Sequence, residues 1–266
     1  KNIIRQKPDL VINDILNTSK SDVYPLKQNN IKVINFEDLG KGIKYADLVI
    51  NELYENPILK YNNIVWGHKY ALLREEFFNI KPKNFPKKVK SVLITFGGTD
   101  NKSITRKTLE HIYDYCNVAN IFINIVTGPG YRKYSELQNM ILKKNMKNIS
   151  LTHSTNVISK YMLKSDIAIC SNGRTVHELA HLNIPSIVIS QHTRELTHNF
   201  SNPKNGVISI GKYDKTKTKK LLFKSFTNLV QKKDFRLKLY RKLQKIKFNN
   251  RKRVVKLISN LCNEYQ

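Results

Sequence analysis

The chain has few of the residue types that build disulfide-stapled, metal-bound or membrane-spanning proteins. It contains only three cysteines in 266 residues, with no C-x-x-C pair and no His-rich metal spacing. Cys116 and Cys170 fall in apolar segments, and we interpret the thiols as buried, reduced and inert. No apolar run approaches the roughly 18 residues needed to cross a bilayer, and the start shows no signal-peptide pattern. We therefore expect a soluble, cytoplasmic protein.

Acidic residues are also scarce, since 20 Asp and Glu stand against 47 Lys and Arg, for a formal net charge of +27. Such a charge suits nucleic acid, an anionic membrane or an anionic substrate. The excess is mostly lysine spread along the whole chain, which is typical of composition bias. Neither an aromatic-interleaved basic motif nor a helix-turn-helix pattern accompanies it. We expect no nucleic-acid partner and keep peripheral association with an anionic membrane as an alternative.

The first third of the chain contains four short apolar runs, at residues 9–13, 31–35, 47–51 and 64–66. Near-continuous apolar runs favour parallel strands that are covered on both faces. The chain starts without an initiator Met, in residues that resemble the tail of a helix. We therefore expect part of a longer, multidomain polypeptide, in which residues 1–85 form a Rossmann-like domain that lacks one or two N-terminal βα units.

A polar segment rich in proline and lysine, residues 80–90, predicts a domain boundary. A fuller alternation of strands and helices follows it. The predicted strands are residues 92–96, 121–126, 149–152, 167–170, 186–189 and 206–210, and the predicted helices are 104–116, 134–144, 157–164, 175–182, 221–230 and 235–262. This alternation predicts a doubly wound parallel sheet over residues 90–232, with C-terminal helices in 233–266.

Two polar loops follow predicted strands directly. In the first, Gly97 and Gly98 let backbone N–H groups approach a ligand, and Thr99 or Asp100 can cap the next helix while its N–H groups face an anion. A simple tight turn between strand and helix is the alternative. Glycine pairs of this kind are weakly specific by themselves.

The second loop, residues 171–175, runs into a predicted helix. Gly173 permits close approach to a diphosphate, and Arg174 and Thr175 can donate hydrogen bonds to phosphate oxygens. Glu178, one helical turn further on, is well placed for ribose hydroxyls. Alternatively, Glu178 completes a capping box with Thr175 and has only a structural role.

A third polar segment, residues 190–199, follows the predicted strand 186–189. It therefore opens at the same carboxyl edge of the sheet, where open α/β sheets bind their ligands. Its polar side chains suit sugar hydroxyls and amides.

The strings Ser171–Ala180 and Asn183–Gln191 resemble the C-terminal half of GT-B nucleotide-sugar enzymes. The resemblance is to the UDP-sugar hydrolase of pseudaminic acid biosynthesis and to related spore-coat polysaccharide glycosyltransferases. Residues 70–77 and 95–100 are similar to the same family, so the likeness extends from about Asp9 to Ile210. It implies two Rossmann-like domains that face a cleft, with UDP held mainly by the second.

The resemblance also implies roles for particular residues. Gly173, Arg174 and Thr175 would contact the diphosphate and Glu178 the ribose. The full set of predicted substrate-binding residues is Gly97, Gly98, Thr99, Asn172, Gly173, Arg174, Thr175, Glu178, Gln191, Glu195 and His198. Tyr70 would act from the first domain as a catalytic residue.

One departure from the family concerns catalysis. Members of the family carry a Gly-x-Gly-His loop after their first strand, and the sequence contains no such motif. His68 is a conceivable substitute, but we interpret it as an ordinary surface histidine. No Asp-x-Asp string is present to hold a metal at a diphosphate, and we expect neither metal nor cofactor.

The sequence thus predicts processing of a UDP-amino-sugar in surface polysaccharide or nonulosonic acid biosynthesis. Cleavage at the sugar C1–O bond would release UDP, as in a hydrolase. A glycosyltransferase that uses the same donor site, or a non-catalytic nucleotide-sugar-binding module, is the alternative.

Overall fold

A computed structural model describes residues 2–248 and 250–263. The described chain forms two compact units. Unit 1 contains the residues up to Leu72 together with those from Lys247 onward, and unit 2 contains Leu73–Ile246.

The strands are β1 (Leu10–Asn13), β2 (Lys32–Phe36), β3 (Leu48–Asn51), β4 (Ile64–Trp66), β5 (Ser91–Thr95), β6 (Phe122–Thr127), β7 (Ile149–His153), β8 (Ile167–Cys170), β9 (Ser186–Ser190) and β10 (Val207–Lys212). The α-helices are α1 (Asn2–Arg5), α2 (Lys20–Gln28), α3 (Ile104–Val118), α4 (Tyr134–Lys143), α5 (Ser159–Leu163), α6 (Thr175–His181), α7 (Lys217–Gln231), α8 (Lys233–Leu243) and α9 (Arg251–Asn263). Short 3-10 turns occur at Lys41–Tyr45, His68–Tyr70, Glu75–Phe77, Thr193–Thr197 and Pro203–Asn205.

Unit 1 contains a parallel sheet of four strands in the order β1-β2-β3-β4. Because successive strand residues point to opposite faces, Val33 and Ile34 enter two different apolar clusters. Val33 packs with Val23 of α2, and Ile34 packs with Val254 of α9. The sheet is therefore covered on both faces, as near-continuous apolar strands require.

Unit 2 contains a parallel sheet of six strands in the order β10-β9-β8-β5-β6-β7. The chain starts at the central strand β5, adds β6 and β7 on one side, and then returns to place β8 on the other. Thr95 at the end of β5 lies opposite Cys170 at the end of β8. The order therefore reverses between β5 and β8, which makes their carboxyl ends the switch point of the sheet.

The predicted class, two parallel-sheet α/β domains, is confirmed. The predicted stripe on α3 is confirmed as well, because Ile104, Thr108, Ile112 and Cys116 are all buried. The interpretation of the thiols is confirmed only in part: Cys116 and Cys170 are buried, but Cys262 is exposed on α9. Burial raises the pKa of the Cys116 thiol to about 12 and raises the pKa of Cys170 strongly, so neither carries a thiolate near neutral pH.

The boundary between the units differs from the predicted one. Unit 2 begins at Leu73 and includes the proline- and lysine-rich segment. That segment is bound to α8, because Tyr240 donates to the carbonyl of Lys83 over 3.0 Å and the buried Arg236 donates to the carbonyl of Lys87 over 2.9 Å. The single helical stretch predicted at residues 235–262 is two helices, α8 in unit 2 and α9 in unit 1.

None of the helices within the described residues is both long and apolar enough to cross a membrane.

Candidate functional site

The switch point of unit 2 brings two of the predicted loops together. The loop after β5 carries Gly97, whose φ of +76° lies in the left-handed region that favours glycine. A Cβ placed on Gly97 would lie 3.6 Å from the Oγ of Ser171, which opens the loop after β8. The glycine pair and the Ser171–Thr175 loop are therefore neighbours in space, although more than 70 residues separate them in sequence.

The loop after β6, which is not among the three polar segments predicted to bind a ligand, braces the glycine pair. Gly130 donates its backbone N–H to the carbonyl of Gly98 over 2.9 Å. A Cβ on Gly128 would lie 2.3 Å from the carbonyl oxygen of Gly97 and 2.4 Å from the Cα of Gly98. Only glycine fits at 128 without moving the backbone of the site. The Gly-Pro-Gly spacing directly after β6 was the available signal.

Asp100 caps α3, and this contact decides whether the first backbone amides of that helix are available to a ligand. Its Oδ1 accepts from the N–H of Ile104 over 2.8 Å, and its Oδ2 accepts from the N–H of Thr105 over 2.7 Å. These two amides are already bonded to a carboxylate, so they do not face a ligand, contrary to one expectation from the sequence. The contribution of this loop to a ligand falls to Gly97, Gly98 and Thr99.

Open space surrounds the other glycines of the two loops. Among the residues that the structure describes, a Cβ on Gly98 or on Gly173 would meet no heavy atom within 4 Å. Neither glycine has a positive φ. Their lack of a side chain is therefore required neither by packing nor by backbone conformation, whereas close approach of a ligand would require it.

The contacts at the start of α6 exclude a capping box between Thr175 and Glu178. The N-cap position is Arg174, not Thr175, and no side-chain cap is found there among the described residues. The Glu178 side chain turns instead to Arg74, whose Nε donates to Glu178 Oε1 over 2.8 Å. Glu178 is only 6% exposed. It therefore presents a buried, paired carboxylate one helical turn beyond Gly173.

Burial and neighbouring charged groups shift the pKa of the Glu178 carboxyl in opposite directions. Burial raises the pKa of this carboxyl, and the hydrogen bond and charge of Arg74 act in the other direction. The charge of Glu76 raises the pKa further, and that of Arg174 lowers it. The net direction is upward, so Glu178 titrates closer to neutral pH than an exposed glutamate does.

Asn172 joins the loop after β8 to the segment after β9. Its Nδ2 donates to the carbonyl of Glu195 over 2.6 Å, and its Oδ1 accepts from Ser201 over 2.5 Å. The Nδ1 of His198 lies 2.5 Å from the carbonyl of Asn172. These contacts give Asn172, which is 4% exposed, a role in fixing the loop.

Glu195 and Gln191 complete this junction. Glu195 Oε2 accepts from the N–H of Gln191 over 2.7 Å and from the N–H of Asn172 over 3.3 Å. Gln191 Nε2 donates to the carbonyl of Phe96 over 2.9 Å, at the start of the glycine loop. The segment thus ties both loops of the switch point together.

The predicted sugar contacts of Gln191, Glu195 and His198 stay a prediction. Glu195 and His198 are both buried, at 6% and 7% exposure. Burial lowers the pKa of His198 to about 4, so its imidazole is neutral near pH 7.

Tyr70 and His68 lie in unit 1, after β4. The Tyr70 ring packs against the apolar cluster that contains Val254 of α9, and the catalytic role predicted for Tyr70 stays a prediction. His68 Nδ1 lies 2.9 Å from both carboxylate oxygens of Glu55, a partner that the sequence did not reveal. Burial alone would raise the pKa of Glu55, but the hydrogen bonds to His68 together with the charges of His68 and Lys69 outweigh burial and lower it.

The sequence matches a known domain family over the region that contains this site. The model of the glycosyltransferase family 28 C-terminal domain matches residues 91–258. The chain belongs to this family.

Three curated relatives match this family-28 chain over about two thirds to three quarters of its length. An uncharacterized protein of Methanocaldococcus jannaschii, MJ1062, is 32% identical over 72% of the chain and 42% of its own length. The spore coat polysaccharide biosynthesis protein SpsG of Bacillus subtilis is 26% identical over 72% of the chain and 58% of its own length. A UDP-2,4-diacetamido-2,4,6-trideoxy-beta-L-altropyranose hydrolase of Campylobacter jejuni is 26% identical over 66% of the chain and 65% of its own length. The chain thus spans between 42% and 65% of the length of these relatives.

Solved structures share the fold of this family-28 chain. The S. aureus MnaA–UDP co-structure matches 98% of the chain and 78% of that protein, with a TM-score of 0.69 and 13% identity. MurG of Acinetobacter baumannii matches 97% of the chain and 75% of that protein, with a TM-score of 0.64 and 17% identity. The predicted GT-B-like fold is confirmed.

Proposed function

We propose that this chain binds the diphosphate and ribose of a UDP-amino-sugar and takes part in breaking the bond between sugar C1 and the diphosphate. One observation carries the proposal. At the switch point of the unit 2 sheet, the open backbones of Gly98 and Gly173 lie on the two loops that meet there, and a buried carboxylate, Glu178, follows Gly173 in the first turn of the next helix. This is where parallel sheets of this type bind nucleotides.

The comparisons support the chemical class of ligand. The family is one of glycosyltransferases, the Campylobacter relative is named for a UDP-linked diacetamido sugar, and the MnaA structure was determined with UDP. Uracil as the base and an acylated amino sugar as the glycosyl group are therefore the first ligands to test.

The proposed chemistry transfers an electron pair to the departing diphosphate. As the C1–O bond breaks, negative charge develops on the diphosphate oxygen. The backbone N–H groups of the two loops and the exposed guanidinium of Arg174 would stabilise that charge. A water molecule or an acceptor hydroxyl would form the new bond to C1 and lose a proton. The products are then UDP and either the free sugar or a glycoside.

Hydrolysis and transfer differ only in the nucleophile. Hydrolysis is supported by the name of the Campylobacter relative, and transfer by the family and by the name of SpsG. A non-catalytic nucleotide-sugar module is the remaining alternative.

Release of UDP from UDP-N-acetylated amino sugars by the full-length protein separates these alternatives. We expect UDP to bind with a Kd in the micromolar range, about −8 kcal/mol, and to be released from the donor. Release in water alone supports hydrolysis, and release that needs an added acceptor supports transfer. Tight UDP binding without turnover supports the module. Failure to bind UDP or any UDP-sugar would contradict the proposal as a whole.

A further inference from the structure

We propose that Arg74 is a positioning residue, whose guanidinium holds the Glu178 carboxylate in the orientation and charge state that ribose hydroxyls require. The inference rests on the proposed function and deepens it, because it assigns to a residue outside the nucleotide loops the control of nucleotide affinity. Arg74 lies 104 residues before Glu178 in the chain.

The guanidinium bridges two carboxylates. Arg74 Nε lies 2.8 Å from Glu178 Oε1, and Arg74 Nη1 lies 3.2 Å from Glu76 Oε1. Both carboxylate side chains are largely buried, at 7% and 12% exposure, whereas that of Arg74 is 48% exposed. A guanidinium can serve two carboxylates at once because its N–H donors are arranged in a rigid plane. Glu178 is therefore held from one side, through one oxygen.

The segment that carries Arg74 is itself fixed to unit 2. The second oxygen of Glu76 accepts from the N–H of Ser159 at the start of α5 over 3.0 Å. Phe77 is fully buried, and its carbonyl lies 3.1 Å from the Nε2 of His181 on α6. Glu178 and His181 are three residues apart and share one face of α6. Arg74 thus approaches Glu178 from a segment already docked on the same face of that helix.

Four charged or titratable groups surround the Glu178 carboxyl. Arg74 and Glu76 face it from the docked segment, Arg174 from the loop before α6, and the buried thiol of Cys170 from the end of β8. Arg74 donates a hydrogen bond to this carboxyl and places a positive charge beside it, so its removal leaves the raising effects of burial and Glu76 opposed by Arg174 but no longer by Arg74. A protonated carboxyl is a poorer acceptor for two ribose hydroxyls. Affinity for the nucleotide should then fall as the pH is lowered.

The experiment measures UDP affinity against pH for Arg74→Met, Arg74→Lys and the unmodified full chain. UDP itself titrates in this range, so the quantity compared is the ratio of Kd values, variant to unmodified, at each pH. We expect Arg74→Met to bind UDP about tenfold more weakly at about pH 6 and to differ much less from the unmodified protein at about pH 8.5, where only the loss of orientation remains. Arg74→Lys, which keeps a charge, should recover part of the loss at low pH. Arg106→Met, which breaks an exposed pair with Glu110, is the matched control.

A second measurement distinguishes charge control from a structural effect. In a Glu178→Gln background, where the carboxyl cannot titrate, Arg74→Met should no longer change the pH profile. A ratio of Kd values that is the same at every pH, or that persists in the Glu178→Gln background, would overturn the inference. The unmodified protein supplies the separate test of the proposed function: if it binds no UDP, that function fails. NMR titration of isotope-labelled glutamate carboxyls without ligand then still reports whether Arg74→Met raises the pKa of Glu178, as the inference requires.

Discussion

Replacing Gly128 with alanine is expected to lower the free energy of unfolding by about 2–3 kcal/mol and to weaken UDP binding by about tenfold or more. The added Cβ would lie 2.3 Å from the carbonyl oxygen of Gly97 and 2.5 Å from that of Gly98. Backbone atoms cannot rotate away as the end of a flexible side chain can. The glycine loop must therefore move as a whole, and it moves at the switch point, where the nucleotide is proposed to bind. Thermal unfolding and calorimetric titration with UDP measure the two effects.

Gly98→Ala is the control for the effect of Gly128→Ala on stability. A Cβ at residue 98 would meet no atom of the described chain within 4 Å, so the free energy of unfolding should change by less than about 0.5 kcal/mol. If Gly128→Ala were as stable as Gly98→Ala and bound UDP normally, the bracing of the glycine loop by residues 128–130 would be wrong.

Glu178→Ala is expected to weaken UDP binding by about 1–3 kcal/mol, since two ribose hydroxyls would lose their acceptor in a buried site. Stability should change little by comparison. The partner that the change leaves behind, Arg74, is about half exposed and can be solvated, and an exposed pair contributes about 0–1 kcal/mol. Calorimetric titration of UDP into the variant and into the unmodified protein, at the same pH, measures the loss.

Glu110→Ala is the matched control for Glu178→Ala. Glu110 lies on α3 of the same unit, in an exposed pair with Arg106, and its removal should leave UDP binding unchanged. Reduced stability of Glu178→Ala together with unchanged UDP affinity would show that the carboxylate is structural only.

Much of the fold of unit 2 could be predicted because its strands are short runs made almost entirely of apolar residues. Residues 92–96 and 167–170 need no long-range information to be recognised as buried parallel strands, and both were observed within one residue of their predicted bounds. The meeting of loops at one sheet edge follows from parallel pairing alone. What periodicity cannot give is the strand order, and the position of the site at the switch between β5 and β8 became visible only in the sheet.

Local rules failed where tertiary packing decided the outcome. Pro25 argues against a helix, yet α2 contains it. Val23 and Leu26 bury their side chains in the core of unit 1, and Ser19 and Asp22 form a capping box at the start of the helix. Likewise, the prolines and lysines of the predicted linker gave no sign that Tyr240 and Arg236 bind its carbonyls.

In the candidate site, the residue types were predictable but their partners were not. Glu178 could equally be a cap or a ligand group from its spacing to Thr175, and the choice required Arg74, which is distant in sequence. Asp100 could cap α3 or leave its amides to an anion, and only the two short bonds to Ile104 and Thr105 decide. Side-chain pairing across a fold carries no periodic signal, so such assignments need coordinates.

The most direct test of the nucleotide site is calorimetric titration of UDP into Gly173→Ala. A Cβ at 173 meets no described atom within 4 Å, so the variant should keep its free energy of unfolding to within about 0.5 kcal/mol. If the diphosphate approaches the backbone of Gly173, the added methyl group will occupy the space of the ligand, and the affinity for UDP will fall by about tenfold or more. A stable Gly173→Ala protein that binds UDP as tightly as the unmodified chain would contradict the account.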